Sequence, residues 1–279
     1  MIAVIDSGST KSDWLISDGK SHIHIDTQGL NPNFIDSNVL DDVLRSVISK
    51  NVNAASVNKI FFFGSGVSAD RHRAMISESF CKFFPNATIE VENDILGAVR
   101  ATCGNDAGIV CILGTGCNSV FFDGEKVIPN NYGLGYILSD EGAGADFGKL
   151  LITNFLYGLM PQHLSGQFSQ KYRLNKDSVI QRVYQTSNPN SWLAAHADFL
   201  IDHKSDPWIL NLIENRFNEF FRLFILNYPG FSKFPVHFIG GISFQHLDIL
   251  KKVAAQNQVN LGKIIKKPID GLLAYHLRS

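Results

Sequence analysis

The sequence predicts an α/β protein built from two similar halves, and two turns of the same kind carry this prediction. An apolar run at residues 2–6 leads into Ser7-Gly8-Ser9-Thr10, and a second run at residues 109–113 leads into Gly114-Thr115-Gly116-Cys117. Turns of glycine and hydroxyl residues leave several backbone N–H groups free to point at one anion. Two such turns, facing each other across a cleft, could hold a polyphosphate from both sides. The pattern therefore predicts a nucleotide-using enzyme.

Strands and helices alternate through the first third of the chain. Short apolar runs and alternating apolar and polar residues predict strands at residues 2–6, 12–17, 22–27, 59–63 and 87–92. Apolar residues at helical spacing predict helices at residues 37–50, 69–84 and 94–102. Pro85 helps to end the second of these helices.

The pattern restarts in the second half. Three short strands are predicted at residues 109–113, 119–123 and 126–128, followed by a glycine-dense loop at residues 132–148. The chain is then mostly helical to residue 228, with proline residues marking the breaks. The remaining elements are a strand at residues 236–239, a helix at residues 247–255 and a last helix from Pro268.

These elements predict two domains, residues 1–108 and 109–267, with the C-terminal helix at residues 268–279 returning to the first domain. A length of 279 residues also favours about two domains. Because no low-complexity tract or linker separates the halves, we expect them to share a cleft and to close it when ligands bind.

Composition narrows the class of protein. A hydrophobic content of 45% and a charged content of 18% are ordinary for a well-packed soluble chain. The formal net charge of −1 gives no bulk attraction to nucleic acid or acidic membranes, so neither is an expected partner. The four cysteines form no CxxC pair, which argues against a metal cassette or a disulfide framework. Without a signal-like start or a membrane-length apolar run, the expected location is cytoplasmic.

The first turn offers ligands for phosphate and metal. Asp6 stands at a strand end, where its carboxylate can hold a Mg²⁺ that bridges phosphates. Gly8 permits close backbone approach, and the turn continues through Ser9, Thr10 and Lys11, with a hydroxyl donor at Thr10. The alternative is a type I′ hairpin turn, which also favours Asp and Gly.

The second turn is the more specific signal. A buried strand that ends in Gly114-Thr115-Gly116 is costly unless something approaches its backbone, which favours phosphate binding over a plain tight turn. Gly240 and Gly241, which follow a later strand, form a third close-approach site that suits a flat adenine or, equally, a turn into a helix.

Asp94 lies at a junction between a strand and a helix. Either Asn93 or Asp94 could be the N-cap of that helix. A carboxylate at the C-terminal end of a strand is also where α/β proteins place catalytic groups. Phosphoryl transfer to an alcohol needs an acceptor that is oriented and deprotonated, and an aspartate can do this.

The glycine-dense loop carries two adjacent acids, Asp140 and Glu141. Such pairs are often solvated or cap the following helix. Five surrounding glycines favour a formed site instead, in which the carboxylates accept hydrogen bonds from sugar hydroxyls.

Taken in order, these segments resemble the sugar kinase/actin/Hsp70 superfamily and, more narrowly, the N-acetylglucosamine kinase family, grouped with BadF/BadG-type ATPases. The match spans nearly the whole chain and runs through residues 6–11, 29–33, 93–98, 114–116, 140–142, 240–241 and 268–271. Cys117 stands where the family often has serine.

The resemblance implies two RNase H-like (actin-like ATPase) domains that flank a central cleft and bind ATP with Mg²⁺ there. It implies transfer of the γ-phosphate to the 6-hydroxyl of N-acetylglucosamine or a related amino sugar, and it allows a homodimer. By motif position, Asp94 resembles the general base and Asp6 the Mg²⁺ organiser. Phosphate contacts fall on Thr10, Gly114 and Thr115, and sugar contacts on Asn33, Asn118 and Asp140, with Glu141 beside it.

Two other functions stay open at this point. An ATP-driven activator of a radical dehydratase or reductase would hold an iron–sulfur cluster on cysteines, but Cys103 and Cys117 lack a convincing ligand spacing. A non-catalytic, sugar-responsive regulator would have no need of Asp94. Among kinases, glucosamine, N-acetylmuramic acid or glucose could replace N-acetylglucosamine as the substrate.

Overall fold

The computed structural model describes residues 1–49 and 52–278, and it divides into two compact units. Unit 1 comprises Met1–Asp106 and Lys267–Ser279, and unit 2 comprises Ala107–Lys266. The predicted helix at residues 37–50 and the predicted C-terminal helix at residues 268–279 each end on a residue that lies outside the described part of the chain.

Unit 1 is built on one five-stranded sheet. Its strands are β1 (Ile2–Ser7), β2 (Lys11–Ser17), β3 (His22–Gln28), β4 (Lys59–Gly64) and β5 (Thr88–Asn93). They lie in the order β3-β2-β1-β4-β5, with β1, β2 and β3 antiparallel and with β4 and β5 parallel to β1. The C-terminal ends of β1, β4 and β5 therefore meet at one edge of the sheet.

In the described part of unit 1, the sheet is covered by the helices α1 (Ser37–Ser49), α2 (Asp70–Phe83), α3 (Asp94–Thr102) and the C-terminal helix, numbered α12 below (Ile269–Arg278). Helix α12 packs on α3, β1 and β2, so the end of the chain completes the unit that its beginning starts. Aromatic side chains fill the core, where Trp14 stacks on Phe80 and Phe62 meets the Phe80 ring edge-on.

Unit 2 repeats the sheet of unit 1. Its strands are β6 (Gly108–Leu113), β7 (Cys117–Phe122), β8 (Val127–Ile128), β9 (Val236–Ile239) and β10 (Leu261–Ile265). Their order is β10-β9-β6-β7-β8, with β6, β7 and β8 antiparallel and with β9 and β10 parallel to β6. The order and the strand directions match those of unit 1, as expected from the two similar halves of the sequence.

Most helices of unit 2 follow the glycine-dense loop. They are α4 (Gly144–Leu156), α5 (Gln162–Tyr172), α6 (Lys176–Tyr184), α7 (Pro189–Ala194), α8 (Asp198–Asp202), α9 (Pro207–Phe224), α10 (Gly241–Gln245) and α11 (Leu247–Gln256). The long helix α9 starts with an Asp206 cap and Pro207 in its first turn, and it buries Ile209, Ile213 and Phe217 on one face. This helical spacing gives α9 its place in the core.

The structure corrects the sequence prediction at one boundary and adds two elements. The predicted loop at residues 132–148 ends early, because α4 begins at Gly144. Gly144 and Gly148 serve helix packing: a Cβ on Gly148 would overlap the Leu193 carbonyl, and a Cβ on Gly144 would lie 3.1 Å from the Ala194 Cβ. Neither strand β10 nor helix α10 was assigned a range from the sequence, but α10 begins at Gly241 and is the helix that the turn at Gly240 and Gly241 allowed. Within the described residues, no helix is both long and apolar enough to span a membrane.

Candidate active site

Unit 1 brings together the predicted base and the predicted metal ligand. Ser7, Gly64 and Asn93 are in register across β1, β4 and β5, so the ends of these strands form one row. Adjacent strands in a sheet lie about 4.8 Å apart. Asp6 precedes Ser7 in β1, and Asp94 follows Asn93 at the start of α3. Both carboxylates therefore lie at the same edge of one sheet.

Asn93 caps helix α3. Its side-chain oxygen accepts the Leu96 N–H at 2.9 Å, and its backbone is extended, as in other N-caps. Asp94 is the first helical residue. The cap left open between Asn93 and Asp94 is thus supplied by Asn93, and Asp94 is not needed for it.

Burial changes the acidity of both carboxyl groups. It raises the pKa of Asp94 to about 6, against hydrogen bonds from backbone N–H groups that favour the charged form. It raises the pKa of Asp6 to about 7, with further increases from the charges of Asp94 and Asp13, while Lys267 opposes the shift. Burial is thus the main cause of both raised pKa values, and the charge of an ionised Asp94 adds to the increase at Asp6.

Lys267 and Asp13 form an ion pair beside Asp6. Asp13 pairs with Asp6 across β1 and β2, and its carboxylate accepts hydrogen bonds from the Lys267 ammonium and from the His24 ring, the latter at 3.2 Å. Burial opposes ionisation of Asp13, but these partners together lower its pKa. Lys267 was not predicted as a site residue, because it comes from the far end of the chain.

The first turn is a two-residue hairpin loop. The Gly8 N–H donates to the Lys11 carbonyl at 2.9 Å, which leaves Ser9 and Thr10 at the tip. A type I′ turn requires a positive φ at both tip residues, and neither Ser9 nor Thr10 has one. The type I′ alternative is therefore wrong.

The loop that begins at Gly29 is bound to this turn. The Gly29 N–H donates to the Thr10 carbonyl at 3.0 Å, and the Leu30 N–H donates to the Ser7 hydroxyl oxygen at 2.8 Å. A Cβ on Gly29 would overlap the Gly8 carbonyl oxygen, so only glycine fits there. The loop and the turn form one rigid piece.

The same loop carries Asn33 to a turn that was not predicted as part of the site. The Asn31 side chain donates to the Ser9 hydroxyl at 3.0 Å and accepts the Asn33 N–H at 2.9 Å. Both asparagine side chains press on Gly66, which has a φ of +80° and where a Cβ would overlap the Asn31 side-chain oxygen. The Ser65 N–H donates to the Ser7 carbonyl at 2.8 Å. The sequence signal for this turn was the buried strand β4, which runs into Gly64-Ser65-Gly66.

The second turn, in unit 2, is held by the first turn of helix α4. The Gly144 and Ala145 N–H groups donate to the carbonyls of Gly114 and Thr115, each at 2.9 Å. N–H groups at a helix start have no partner within the helix, and here the turn supplies one. The carbonyls of the turn are thereby drawn toward α4.

Asp140 connects the acidic loop to the second turn. It is buried, its φ is +74°, and its Oδ1 accepts the Cys117 N–H at 2.7 Å. A Cβ on Gly116 would lie 2.8 Å from the Asp140 Oδ2, so glycine lets the carboxylate approach. The Asp140 carboxylate therefore has a structural contact besides its predicted sugar contact.

Asn118 and Glu141 lie close to the glycine-dense loop. The Asn118 side chain accepts the Ser119 N–H at 2.8 Å, and its amide nitrogen lies 3.0 Å from where a Cβ on Gly133 would be. Glu141 accepts a hydrogen bond from the Ser139 hydroxyl at 3.3 Å. Asn118, Asp140 and Glu141 thus belong to unit 2, whereas Asn33 belongs to unit 1.

The glycines of the site fall into two groups. Gly116 and Gly240 are required by their neighbours: Gly240 has a φ of +127°, and a Cβ there would overlap the Leu113 carbonyl oxygen. Gly114 and Gly241 have no positive φ, and a Cβ on either would meet no atom within 4 Å. Since neither conformation nor packing demands glycine at these two positions, their open space is available to a ligand.

Comparison with known proteins identifies the family. The chain matches no protein-family model and no curated protein. It is similar over 100% of its length to a structure from Porphyromonas gingivalis assigned as an N-acetylglucosamine kinase, with 38% identity, a TM-score of 0.94 and 99% of that chain covered.

More distant structures share the fold. A protein from Chromobacterium violaceum, also assigned as an N-acetylglucosamine kinase, has 16% identity and a TM-score of 0.70 over 98% of each chain. A ROK-family glucokinase from Streptomyces griseus has 12% identity and a TM-score of 0.56 over 100% of this chain and 98% of its own. The predicted actin-like α/β class is confirmed, and the chain belongs to the N-acetylglucosamine kinase family of sugar kinases.

Proposed function

We propose that the protein is an ATP-dependent sugar kinase that transfers the γ-phosphate to the 6-hydroxyl of N-acetylglucosamine or a related amino sugar. The observation that carries the proposal is Asp94, a carboxylate at a sheet edge whose pKa is raised to about 6 and whose helix has Asn93 as its N-cap. A general base works best when its pKa lies near the working pH. The family membership supports the same reaction.

The turns fit a polyphosphate. A Cβ on Gly8 would have only the Lys11 carbonyl oxygen nearby, at 3.5 Å, and a Cβ on Gly114 or Gly241 would have no atom within 4 Å. We assign the phosphates to the turns at residues 8–11 and 114–116, and the adenine to Gly240 and Gly241. The Streptomyces griseus glucokinase, which shares the fold, was crystallised with glucose and AMPPNP.

The residues around Asp6 fit a magnesium ion. Carboxylate oxygens are the ligands that Mg²⁺ prefers, and the raised pKa of Asp6 marks a buried carboxylate that lacks enough positive charge nearby. Bound Mg²⁺ would neutralise charge on the phosphates. Asp6 would hold the ion directly or through its water ligands.

Asp94 would act on the acceptor hydroxyl. As the sugar oxygen forms its bond to the γ-phosphorus and the bond to the ADP oxygen breaks, the hydroxyl proton passes to an Asp94 carboxylate oxygen. Asn33, Asn118, Asp140 and Glu141 would orient the sugar. Since the Asp140 Oδ1 is bonded to Cys117, we assign its Oδ2 to a sugar hydroxyl.

The iron–sulfur alternative finds no support in the thiols. Cys103, Cys111 and Cys117 are buried, and Cys81 is exposed. Burial raises the pKa of the Cys111 and Cys117 thiols well above their usual range, whereas a cluster needs thiolate ligands.

A panel of sugars tests the proposal. ADP release should depend on N-acetylglucosamine or a close amino sugar in the presence of Mg²⁺, and phosphorus NMR should identify the product as the 6-phosphate. Glucosamine, N-acetylmuramic acid, N-acetylmannosamine and glucose serve as competitors. ATP turnover that no sugar changes would contradict the kinase assignment.

A further inference from the structure

One turn of helix α4 holds both ends of the loop segment that carries the two acidic residues. At one end, the Lys149 ammonium donates to the Tyr136 carbonyl at 2.8 Å. At the other end, the Asp146 Oδ2 accepts the Gly142 N–H at 2.9 Å. Lys149 and Asp146 are three residues apart and therefore lie on the same side of the helix.

Arg216, on helix α9, fixes Asp146. Its Nε donates to the Asp146 Oδ2 at 2.7 Å, so one oxygen accepts both the guanidinium and the Gly142 amide. The Asp146 side chain is only 9% exposed, and its other cationic partner, the Lys149 ammonium, lies 4.0 Å from Oδ1, so loss of Arg216 would leave a poorly solvated carboxylate. Helix α9 also abuts Gly142, where a Cβ would lie 3.3 Å from the Arg216 carbonyl oxygen.

The held segment has an unusual backbone. Asp140 adopts a φ of +74°, in the left-handed region that residues other than glycine rarely occupy, and Gly135 and Gly142 have φ values of +80° and +77°. Conformations of this kind persist when the surrounding structure over-determines them. The contacts at Tyr136 and Gly142 supply that constraint from both sides, together with the hydrogen bond from the Cys117 N–H to Asp140.

We propose that Lys149, Asp146 and Arg216 form a positioning clamp that sets the affinity of the enzyme for its sugar. The clamp residues would not touch the sugar. They would fix the loop in the conformation that presents the carboxylates of Asp140 and Glu141. The inference rests on the proposed function, because these two carboxylates are its sugar ligands.

Lys149→Met is the first test, because the Lys149 side chain is 35% exposed and its removal should disturb the fold less than removal of a buried partner would. The KM for N-acetylglucosamine should rise about tenfold, while kcat and the KM for ATP stay within about threefold. Lys149→Arg keeps a donor and should restore most of the affinity. Lys171→Met is the matched control, since Lys171 is 40% exposed and pairs with Asp202 in the helical region, away from the loop.

Arg216→Met is the second test, with Arg45→Met as its control. Arg45 lies on α1 of unit 1 and pairs with Asp42 at 2.6 Å, whereas the clamp belongs to unit 2. Because Arg216→Met can also lower the Tm, thermal melts accompany the kinetics. Hydrogen exchange of the peptide that spans Tyr136–Gly142 is a readout independent of turnover, and it should quicken in Lys149→Met and Arg216→Met but not in the controls.

The outcomes separate the two proposals. An unchanged sugar KM in Lys149→Met, in an enzyme that phosphorylates sugar normally, overturns the clamp and leaves the proposed function intact. Equal losses for sugar and ATP, with a lowered Tm, also overturn it, because they indicate general damage. A wild-type protein that phosphorylates no sugar is a failure of the proposed function itself.

Discussion

Asp94 and Asp6 carry the same chemical group at one sheet edge, but their surroundings suit them to different work. Asp94 is bonded to backbone N–H groups at a helix start, which oppose the rise of its pKa and keep an ionised carboxylate available to accept a proton near neutrality. Burial and the charges of Asp94 and Asp13 raise the pKa of Asp6 to about 7, so a bound cation would favour its ionised form at neutral pH.

Replacing Asp94 tests the base. Asp94→Asn keeps the size of the side chain but cannot take the acceptor proton, so kcat should fall by about 10²–10⁴-fold. The helix cap is Asn93, so the helix should stay intact, and because burial raises the pKa of Asp94 the variant should be at least as stable as the wild type at neutral pH. Sugar phosphorylation, thermal melts and Mg·ATP binding are the measurements. Turnover near the wild-type rate would remove Asp94 from the mechanism.

The pH dependence of turnover follows from the same carboxyl group. Because Asp94 acts in its ionised form and its pKa in the ligand-free protein is raised to about 6, kcat/KM should rise with pH through a midpoint near 6 and level off about one pH unit higher. The profile is measured at sugar concentrations well below KM. The residual activity of Asp94→Asn should lack this limb, and a variant with the same limb would assign it to another group.

The ionised Asp6 carboxylate should destabilise the ligand-free protein near and above neutral pH. The pKa of Asp6 is about 7 in the folded protein and 3.8 in the unfolded chain. The protonated Asp6 therefore contributes its full stability below about pH 4, and this stability is lost as the pH rises through about 7. Asp6→Asn should therefore be more stable than wild type at pH 8, by on the order of 2–4 kcal/mol, with no difference near pH 4. Chemical denaturation without Mg²⁺ measures this.

Added Mg²⁺ provides the control for that comparison. If Asp6 holds the ion, Mg²⁺ should stabilise the wild type and leave Asp6→Asn unchanged. Equal stabilisation of both proteins would place the metal elsewhere.

At the scale of elements, periodicity and turn residues predicted most strands and helices of both sheets. Strand β10 was not predicted because its sequence, Leu261 to Ile265, includes Gly262 and Lys263 and shows no alternation of apolar and polar residues. This segment is a strand because it pairs in parallel with β9, and such a long-range contact leaves no signal in the local sequence. Gly144 and Gly148 resembled loop residues, yet they lie in helix α4. They are glycines because neighbouring backbone and small side chains leave no room for a Cβ.

The residues of the candidate site also fall into those that a local sequence signal predicts and those that only the folded structure brings together. The strand ends that carry Asp6, Asp94 and Gly114 could be predicted, because a strand followed by a glycine or acidic turn is a local signal. Lys267 and Arg216 could not, because each reaches its carboxylate partner from a remote segment. The roles of the predicted site residues stay predictions.

Two glycines that look alike in the sequence should respond differently to alanine. At Gly114 a Cβ meets open space, so Gly114→Ala should keep its Tm and weaken ATP binding, by about tenfold or more if the methyl group takes the place of a phosphate oxygen. At Gly240 a Cβ overlaps the Leu113 carbonyl and φ is +127°, so Gly240→Ala should lower the stability by more than about 1 kcal/mol. Melts and nucleotide titrations separate the two effects. A folded Gly114→Ala with normal ATP affinity would argue against phosphate binding there.

At the scale of the whole molecule, the repeated sheet gives each unit a first strand that ends in a glycine turn. β1 and β6 hold the same place in their sheets, third of five, with an antiparallel neighbour on one side and a parallel neighbour on the other. A second segment of the chain also donates hydrogen bonds to each turn. The segment at Gly29 does so for the first turn, and the start of α4 does so for the second. The two turns are thus built independently, by the same structural means.

If both turns bind the phosphates of one ATP, a single ligand should protect both. Adding AMPPNP with Mg²⁺ should slow hydrogen exchange in peptides that contain residues 8–11 of unit 1 and residues 114–117 of unit 2, with the same concentration dependence. The reason is mass action: one bound nucleotide suppresses local opening of every segment that it contacts. Gly114→Ala should shift both protection curves to higher ligand concentration together, although the substitution lies in unit 2. Protection confined to one unit, or two curves with different midpoints, would show that the turns do not share a nucleotide.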